Sequence, residues 1–417
     1  MFIFSPFLIV HLILFFYPLF DYFYLSGSIT ILVLFTFLII TILPSKTTPL
    51  SIVDSQSPID ERDAIFHRFY TIKPGSKEFE TYYKSRPEKK EIDNAIRELP
   101  ELGEPGARSY HEFTSIYQDA TFDVVNKISR EIEWTPENSK VVTKASPEEF
   151  SSRIKGFASY LGADLVGITK LNPAYIYSHI GRSPGKWGAP ISLKHKNAIA
   201  IAVEMDYEMI KHAPDSAATT ESAFKYFEAA KIAMTVARYI NKLGYEARAH
   251  VDGNYRVLCV PIAVDAGLGE LGRLGLLITP KFGPRVRLSI VTTNMELQHD
   301  KPLNFGVQHF CSICKKCATN CPSASIQQAE KQVIQGVEKW QSEQESCYRF
   351  WRTQGSDCSV CLKVCPYSNP NTMIHNMVRW IVKRNNLSRH LIYYGDRLFY
   401  GKFRNTKYKL PDWHGKE

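Results

Sequence analysis

Basic side chains are missing from the start of this chain: residues 1–45 hold no Lys or Arg, and Asp21 is their single acidic residue. The absence removes the positively charged region that a cleaved signal peptide needs. No twin-arginine pair occurs there either, so nothing suggests export of a folded protein. Cysteine is scarce and uneven, with eight of nine falling within the 55 residues from Cys311 to Cys365 and Cys259 standing alone. That distribution excludes a disulfide framework spread through the fold and favours metal ligation. No repeat of solenoid period appears. No recognised nucleic-acid module accompanies the net charge of +9, so no nucleic-acid partner is expected.

What replaces charge in the first 45 residues is apolar length. Residues 1–20 and 25–43 each approach the roughly 20 residues that span a bilayer as a helix, and the polar break at 21–28 makes them a candidate transmembrane helical hairpin. Lys46 and the Lys/Arg-rich body follow the second span, so both ends are expected on the cytoplasmic face of the membrane.

Residues 46–145 are polar, with Pro, Lys and Glu clusters, and read as a linker and wrapping segment with short helices. From 146 to 300 the pattern is that of a mixed α/β sandwich. Helix is expected at 147–161 and strands at 164–168 and 198–203. An amphipathic helix at 221–243 follows, with Tyr226, Ala230, Ala233, Ala237 and Ile240 at helical spacing, and 247–251, 257–264 and 286–292 read as strands. In the last, Arg287 projects from the face opposite Val286 and Leu288. The final segment, 371–417, carries ten Lys/Arg against three acidic residues. This basic tail suits an anionic membrane lipid surface, a solvated face or an acidic electron donor.

The cysteines carry the clearest chemistry. Cys311, Cys314, Cys317 and Cys321, followed by Pro322, have the spacing C-x2-C-x2-C-x3-C-P, in which three thiolates converge on one cubane and the fourth reaches its neighbour. Cys358, Cys361 and Cys365, followed by Pro366, form a second set with Cys347 upstream. The expected partition is Cys311, Cys314, Cys317 and Cys365 on one [4Fe-4S] cluster, with Cys347, Cys358, Cys361 and Cys321 on the other, in a two-cluster domain at 301–370. Ten residues separate Cys347 from Cys358 where a plain ferredoxin has two. Cys259 lies in an apolar run and reads as a buried core thiol. Gly267, Gly269 and Gly272 match G-x-G-x-x-G, but Pro261 before them and Pro280 soon after deny the strand and helix that a dinucleotide site requires. Such glycines also let backbone amides approach a flat or phosphate-bearing ligand closely.

The stretch VDAGLGELGRLGLLITPKFGPRVRLSIV (264–291), followed by Phe310-Cys311 and both cysteine sets, resembles the reductive dehalogenase family over about 164–366. The resemblance implies an α+β architecture: a nitroreductase-like α/β sandwich binding a corrinoid of the cobalamin type, and a ferredoxin-like domain with two [4Fe-4S] clusters. It implies an oxidoreductase that removes halogen reductively from an organohalide substrate. By position it points to Tyr226 as proton donor, Arg287 as the neighbouring cation and Asn254 as a substrate-side contact. Ala266, Gly267, Leu268, Gly269, Gly272 and Gly275 are the expected corrinoid contacts. No Asp-x-His-x-x-Gly motif is present to supply a lower cobalt ligand. Fused reductase modules are also absent, so an external donor such as a ferredoxin, a flavodoxin or a membrane partner is expected. The competing readings are an epoxyqueuosine reductase-like cobalamin enzyme and a membrane-anchored ferredoxin-like electron carrier.

Overall fold

The computed structural model describes residues 57–133, 141–182 and 184–403, with isolated positions at 30–32, 35, 51–52, 410 and 412–414. The candidate membrane hairpin at 1–45 lies outside the described residues apart from 30–32 and 35. Among the described residues no helix is long and apolar enough to cross a membrane.

A four-stranded antiparallel sheet organises the body. Strand β1 (Ser51–Ile52) lies outside it; the sheet contains β2 (Leu165–Lys170), β3 (Asn197–Glu204), β4 (Ala247–His250) and β7 (Val286–Thr293), in the order β2-β3-β7-β4. The β3 sequence alternates Ile or Val with Ala, so its two faces differ in bulk. Ile199, Ile201 and Val203 pack with Ile154 of α5 (Pro147–Tyr160) and Ala230, Ala233 and Val236 of α6 (Ser216–Lys242). Ala198, Ala200 and Ala202 face a second core with Ile262, Ala266 and Phe282. Small residues there admit close backbone approach: a Cβ on Gly167 would lie 2.1 Å from the Ala266 carbonyl oxygen. Residues 257–264, expected as a strand, instead contain helix α7 (Cys259–Asp265). The apolar run is continuous because both sides of it are covered, and such a run does not distinguish strand from buried helix.

Residues 57–133 are more than a linker. Helices α1 (Ile65–Tyr70), α2 (Lys77–Ser85) and α3 (Pro87–Arg97) build small cores of their own, and Ile65, Phe69 and Ile96 close over Tyr348. Arg68 bonds Asp93 and Glu345, both at 2.9 Å. Arg352 donates to the carbonyls of Leu99 and Pro100 at 2.5 Å each. Glu345, Tyr348 and Arg352 belong to α10 (Gln344–Gln354), which also carries Cys347, so this segment fixes a cysteine-bearing helix. Helix α4 (Glu112–Arg130) lies against α6.

The basic C-terminal segment likewise has structure. Helices α12 (Met373–Val382) and α13 (Asn386–Tyr400) pack against each other, and α13 also packs on the cysteine domain. Arg389 is fully buried and donates to the Val382 carbonyl at 3.1 Å.

Candidate functional site

Eight thiols converge from four short helices and the turns between them. Helix α8 (Val307–Cys314) carries Cys311 and Cys314, α9 (Lys316–Thr319) carries Cys317, α10 carries Cys347, and α11 (Val360–Val364) carries Cys361. Cys365 lies among Cys311, Cys317 and Cys314, whereas Cys361 has Cys358, Cys347, Cys317 and Cys321 as its ionisable neighbours. Two groups of four result, with Cys317 between them. No group of three or more His, Cys, Asp or Glu among the described residues is compact enough to chelate a single ion. Four sulfurs around a cubane stand farther apart than four ligands of one ion. Lys315, Cys358 and Ser359 adopt left-handed backbone conformations at φ 52°, 57° and 49°, which non-glycine residues seldom do, and all three lie in the cysteine loops. Burial raises the thiols of Cys311 and Cys347 to about 11 and those of Cys314 and Cys358 to about 12. Burial also acts on Cys321, but hydroxyls of Ser323 and Ser325, 3.4 and 3.2 Å from its sulfur, bring it below the ordinary thiol value.

The glycine-rich stretch has a different task from the one expected of it. Gly269 and Gly272 are buried against their own hairpin of β5 (Glu270–Leu271) and β6 (Leu277–Ile278): added Cβ atoms would lie 2.1 Å from the Ile278 carbonyl oxygen and 2.7 Å from its side chain. Gly267, at φ +76°, sits 2.5 Å by the same measure from the Lys301 carbonyl oxygen. Ala266 and Leu268 belong to the core behind the sheet. Of the expected corrinoid contacts only Gly275 avoids such crowding, with Ser342 Oγ 3.6 Å from its added Cβ. Chain packing alone accounts for the absence of a side chain at Gly267, Gly269 and Gly272.

Their neighbours hold the cysteine domain. The Glu270 carboxylate accepts the Phe305 and Val307 amides at 2.6 and 3.2 Å, capping the start of α8. Arg273 donates to the carbonyl of Cys311 at 3.0 Å and to those of Gln327 and Ala329 at 2.8 and 2.9 Å. Farther on, a Cβ on Gly283 would fall 2.5 Å from the Tyr367 carbonyl, and Arg285 donates to the Ser368 carbonyl at 2.8 Å. The turn after Cys365 is thus seated on the 279–285 loop.

Tyr226 and Arg287 do come together, with the guanidinium carbon 4.7 Å from the ring centre. Arg287 donates to Ser222 Oγ at 2.5 Å and to the Asp357 carboxylate at 2.9 Å. Thr219, Ser222 and Tyr226 share one face of α6 through spacings of three and four residues. Asp357 is gripped from that face: its amide donates to Thr219 Oγ1 at 2.9 Å and its carboxylate contacts the Ser222 hydroxyl. Ser359 Oγ also donates to it at 3.1 Å. Asp357 immediately precedes Cys358, so the guanidinium over the Tyr226 ring is linked through Asp357 to a cysteine loop. Burial raises the Tyr226 phenol above its ordinary value, with Arg287 pulling the other way. Burial disfavours the Arg287 cation, yet Tyr226 and Asp357 hold its pKa above the ordinary guanidinium value. Burial likewise pushes Asp357 up, against Arg287 and three hydroxyls. A permanently charged guanidinium at 2.9 Å keeps this an ion pair.

Tyr177, Tyr226, Tyr255, Cys259 and Arg287 are partly buried and lie near one another. Cys259, expected as a buried core thiol, is partly buried and packs against the core behind the sheet, and burial raises its thiol above the ordinary value. Arg182 adds a second cation 3.7 Å from Asp252. The Nε atoms of Arg182 and Arg287 are buried without a hydrogen-bond partner. Asn254 is placed elsewhere: it is fully buried, accepts from Arg248 at 2.8 Å and donates to the Ser129 carbonyl at 2.9 Å. Its amide braces the 252–254 turn against α4. Asp357, Ser222, Arg182, Tyr177 and Tyr255 were not legible as site residues. The helical spacing 219-222-226 and the long interval between Cys347 and Cys358 are the signals that point to the first two.

Residues 310–369 match the 4Fe-4S dicluster domain model. The chain is 34% identical over 305 residues to the tetrachloroethene reductive dehalogenase of Sulfurospirillum multivorans, covering 65% of this chain and 60% of that protein. It is 36% identical over 281 residues to the Desulfitobacterium hafniense tetrachloroethene reductive dehalogenase, covering 56% and 51%. A shorter match of 28% over 114 residues joins it to the epoxyqueuosine reductase of Lactococcus garvieae, covering 26% and 31%. The chain thus spans about half to three-fifths of the dehalogenases it matches. Among solved structures, a catabolic reductive dehalogenase in complex with 3-bromo-4-hydroxybenzoic acid aligns with a TM-score of 0.68 at 24% identity, covering 88% of this chain and 50% of that one.

Proposed function

Because the chain belongs to the reductive dehalogenase family, we propose that it cleaves a carbon–halogen bond of an organohalide reductively, using a corrinoid and two [4Fe-4S] clusters. The observation that carries this reading is the placement of Arg287 over the Tyr226 ring and its hydrogen bond to Asp357, which precedes the cysteine at 358. The residues fit the groups. Two sets of four thiols suit two cubanes, and left-handed Cys358 and Ser359 bend the backbone around one of them. Beside Tyr226, the Nε atoms of Arg182 and Arg287 lack a hydrogen-bond partner among the described residues, which suits an anionic cofactor or substrate group.

When bound, the corrinoid supplies a low-potential cobalt centre and the clusters supply electrons singly. Tyr226 holds the proton that replaces the halogen on carbon, and its raised pKa keeps the phenol protonated at neutral pH. Arg287 stabilises the phenolate left behind and attracts the departing halide. Asp357 positions Arg287. The expected electron donor is an external low-potential protein. Residues 1–45 support a membrane anchor with the body on the cytoplasmic side, a placement that rests on their apolar length and on the absence of Lys and Arg.

Metal analysis of the anaerobically purified chain tests the reading, together with halide release under a low-potential reductant. One cobalt with about eight iron atoms and measurable halide release are expected. Iron near that value without cobalt binding, and no halide release after corrinoid reconstitution, would favour the electron-carrier reading.

A further inference from the structure

The C-terminal hairpin turns apolar side chains outward. On α12, Met373, Met377 and Trp380 recur at spacings of four and three residues, with Met373 87% exposed and Met377 56%. On α13, Leu387, Leu391, Tyr394 and Leu398 repeat that spacing on the solvent side, ending with Leu398 at 80%. These stripes lie opposite the faces that hold each helix to the body, where Arg379, Val382, Ser388 and Arg389 are buried. Ordinary surface helices place charge where this hairpin places Met, Leu and Tyr.

The charge around the stripes has one sign. Lys383, Arg384, Arg397 and Lys402 reach the surface, while Asp396, the single acidic residue between 373 and 403, is buried against Lys316 at 2.5 Å. With that carboxylate withdrawn, the charged side chains that residues 373–403 expose are all cations. An apolar helix face with aromatic side chains and a basic border is the pattern of elements that lie in the interfacial plane of a bilayer. A second copy of this chain would bring the same cations against one another, so like charge disfavours that occupant.

We infer that α12 and α13 form a docking surface for an anionic lipid membrane, with the apolar stripes entering the headgroup region and the basic side chains contacting lipid phosphates. The inference stands on the described hairpin and does not require residues 1–45 to span the bilayer.

Carbene footprinting of the full chain tests it, read by peptide mass spectrometry. The chain is reconstituted with vesicles of phosphatidylcholine and phosphatidylglycerol in equal parts, or of phosphatidylcholine alone. Labelling across 373–403 is expected to be lower in the anionic vesicles, since each basic side chain near such a surface strengthens binding about fivefold. The peptide bearing Tyr160, 85% exposed on the body, serves as control and should label equally in both. The combined Arg397→Gln and Lys402→Gln variant should lose the difference while keeping its iron content. Equal labelling in the two vesicles overturns the inference, as does full protection retained in that variant. Protection that follows protein concentration rather than lipid composition also overturns it, and assigns the surface to a second copy.

Discussion

Replacing Asp357 by Asn probes how the phenol end of the site is held. Asp357 Oδ2 accepts from Arg287 at 2.9 Å in a buried pair, and hydroxyls of Ser222 and Ser359 attend the same carboxylate. Asn keeps the shape and one acceptor but removes the charge. A hydrogen bond to a charged partner contributes about 1.5–3 kcal/mol and a neutral one about 0.5–1.5, so Arg287 loses roughly 1–2 kcal/mol of restraint. If that restraint is what aims Arg287 at Tyr226, kcat should fall about 5- to 30-fold, at about 1.4 kcal/mol per decade. KM should change little, because Asp357 is buried and its contacts are with Arg287, Thr219, Ser222 and Ser359. Losing a negative charge one residue from Cys358 should also move the potential of the cluster served by that loop upward. Steady-state halide release and an anaerobic redox titration followed by electron paramagnetic resonance read both effects. Wild-type kcat together with an unmoved potential, at full iron content, would refute the coupling.

Three further outcomes follow from the same contacts. Glu270→Ala removes the carboxylate that caps α8 and should cost about 1–2 kcal/mol, seen as faster iron loss to a chelator than in the wild type; an unchanged rate would deny the cap its role. Gly283→Ala places a methyl 2.5 Å from the Tyr367 carbonyl at φ +58° and should destabilise by about 1–3 kcal/mol, with a lower Tm and reduced iron; normal values would show that the turn after Cys365 can shift. His250 is buried, and burial, then Arg248, His195 and Arg256, hold its pKa well below the ordinary value. Since the unfolded chain takes up that proton near pH 6.5 and the folded one does not, stability present above this pH is lost as pH falls. Tm should therefore drop between roughly pH 7.5 and 5.5, and a flat Tm across that interval would contradict neutral burial.

How far the sequence could be read depended on what each residue type admits. Cysteine spacing was legible because four thiolates must converge on a cubane, and little else places Cys-Pro after such sets twice. The sheet strands were legible from alternation, as in β3 and β7. Residues 257–264 were not, because covering on both sides erases the periodicity that separates strand from helix. The glycines from Gly267 to Gly275 misled for a related reason: a glycine admits close approach equally by a ligand or by its own chain, and here the Ile278 and Lys301 carbonyls occupy the space. Asn254 illustrates the same ambiguity for a turn residue whose amide is consumed by Arg248 and Ser129. Asp357 was invisible because an inserted carboxylate beside a cluster cysteine has meaning only once Arg287 is seen to reach it across 70 residues. Short helices were expected across 57–133, but polar composition did not show that Ile65, Phe69 and Ile96 close over Tyr348.

The central claim is that Tyr226 delivers the proton in a corrinoid-dependent dehalogenation, and the Tyr226→Phe variant addresses it most directly. Phenylalanine keeps the ring over Arg287 and removes only the hydroxyl, so cobalt and iron contents and the visible spectrum should match the wild type. Anaerobic halide release should fall by at least about 100-fold, the scale of a positioned general acid. Halide release at the wild-type rate from a fully loaded Tyr226→Phe enzyme would contradict the account.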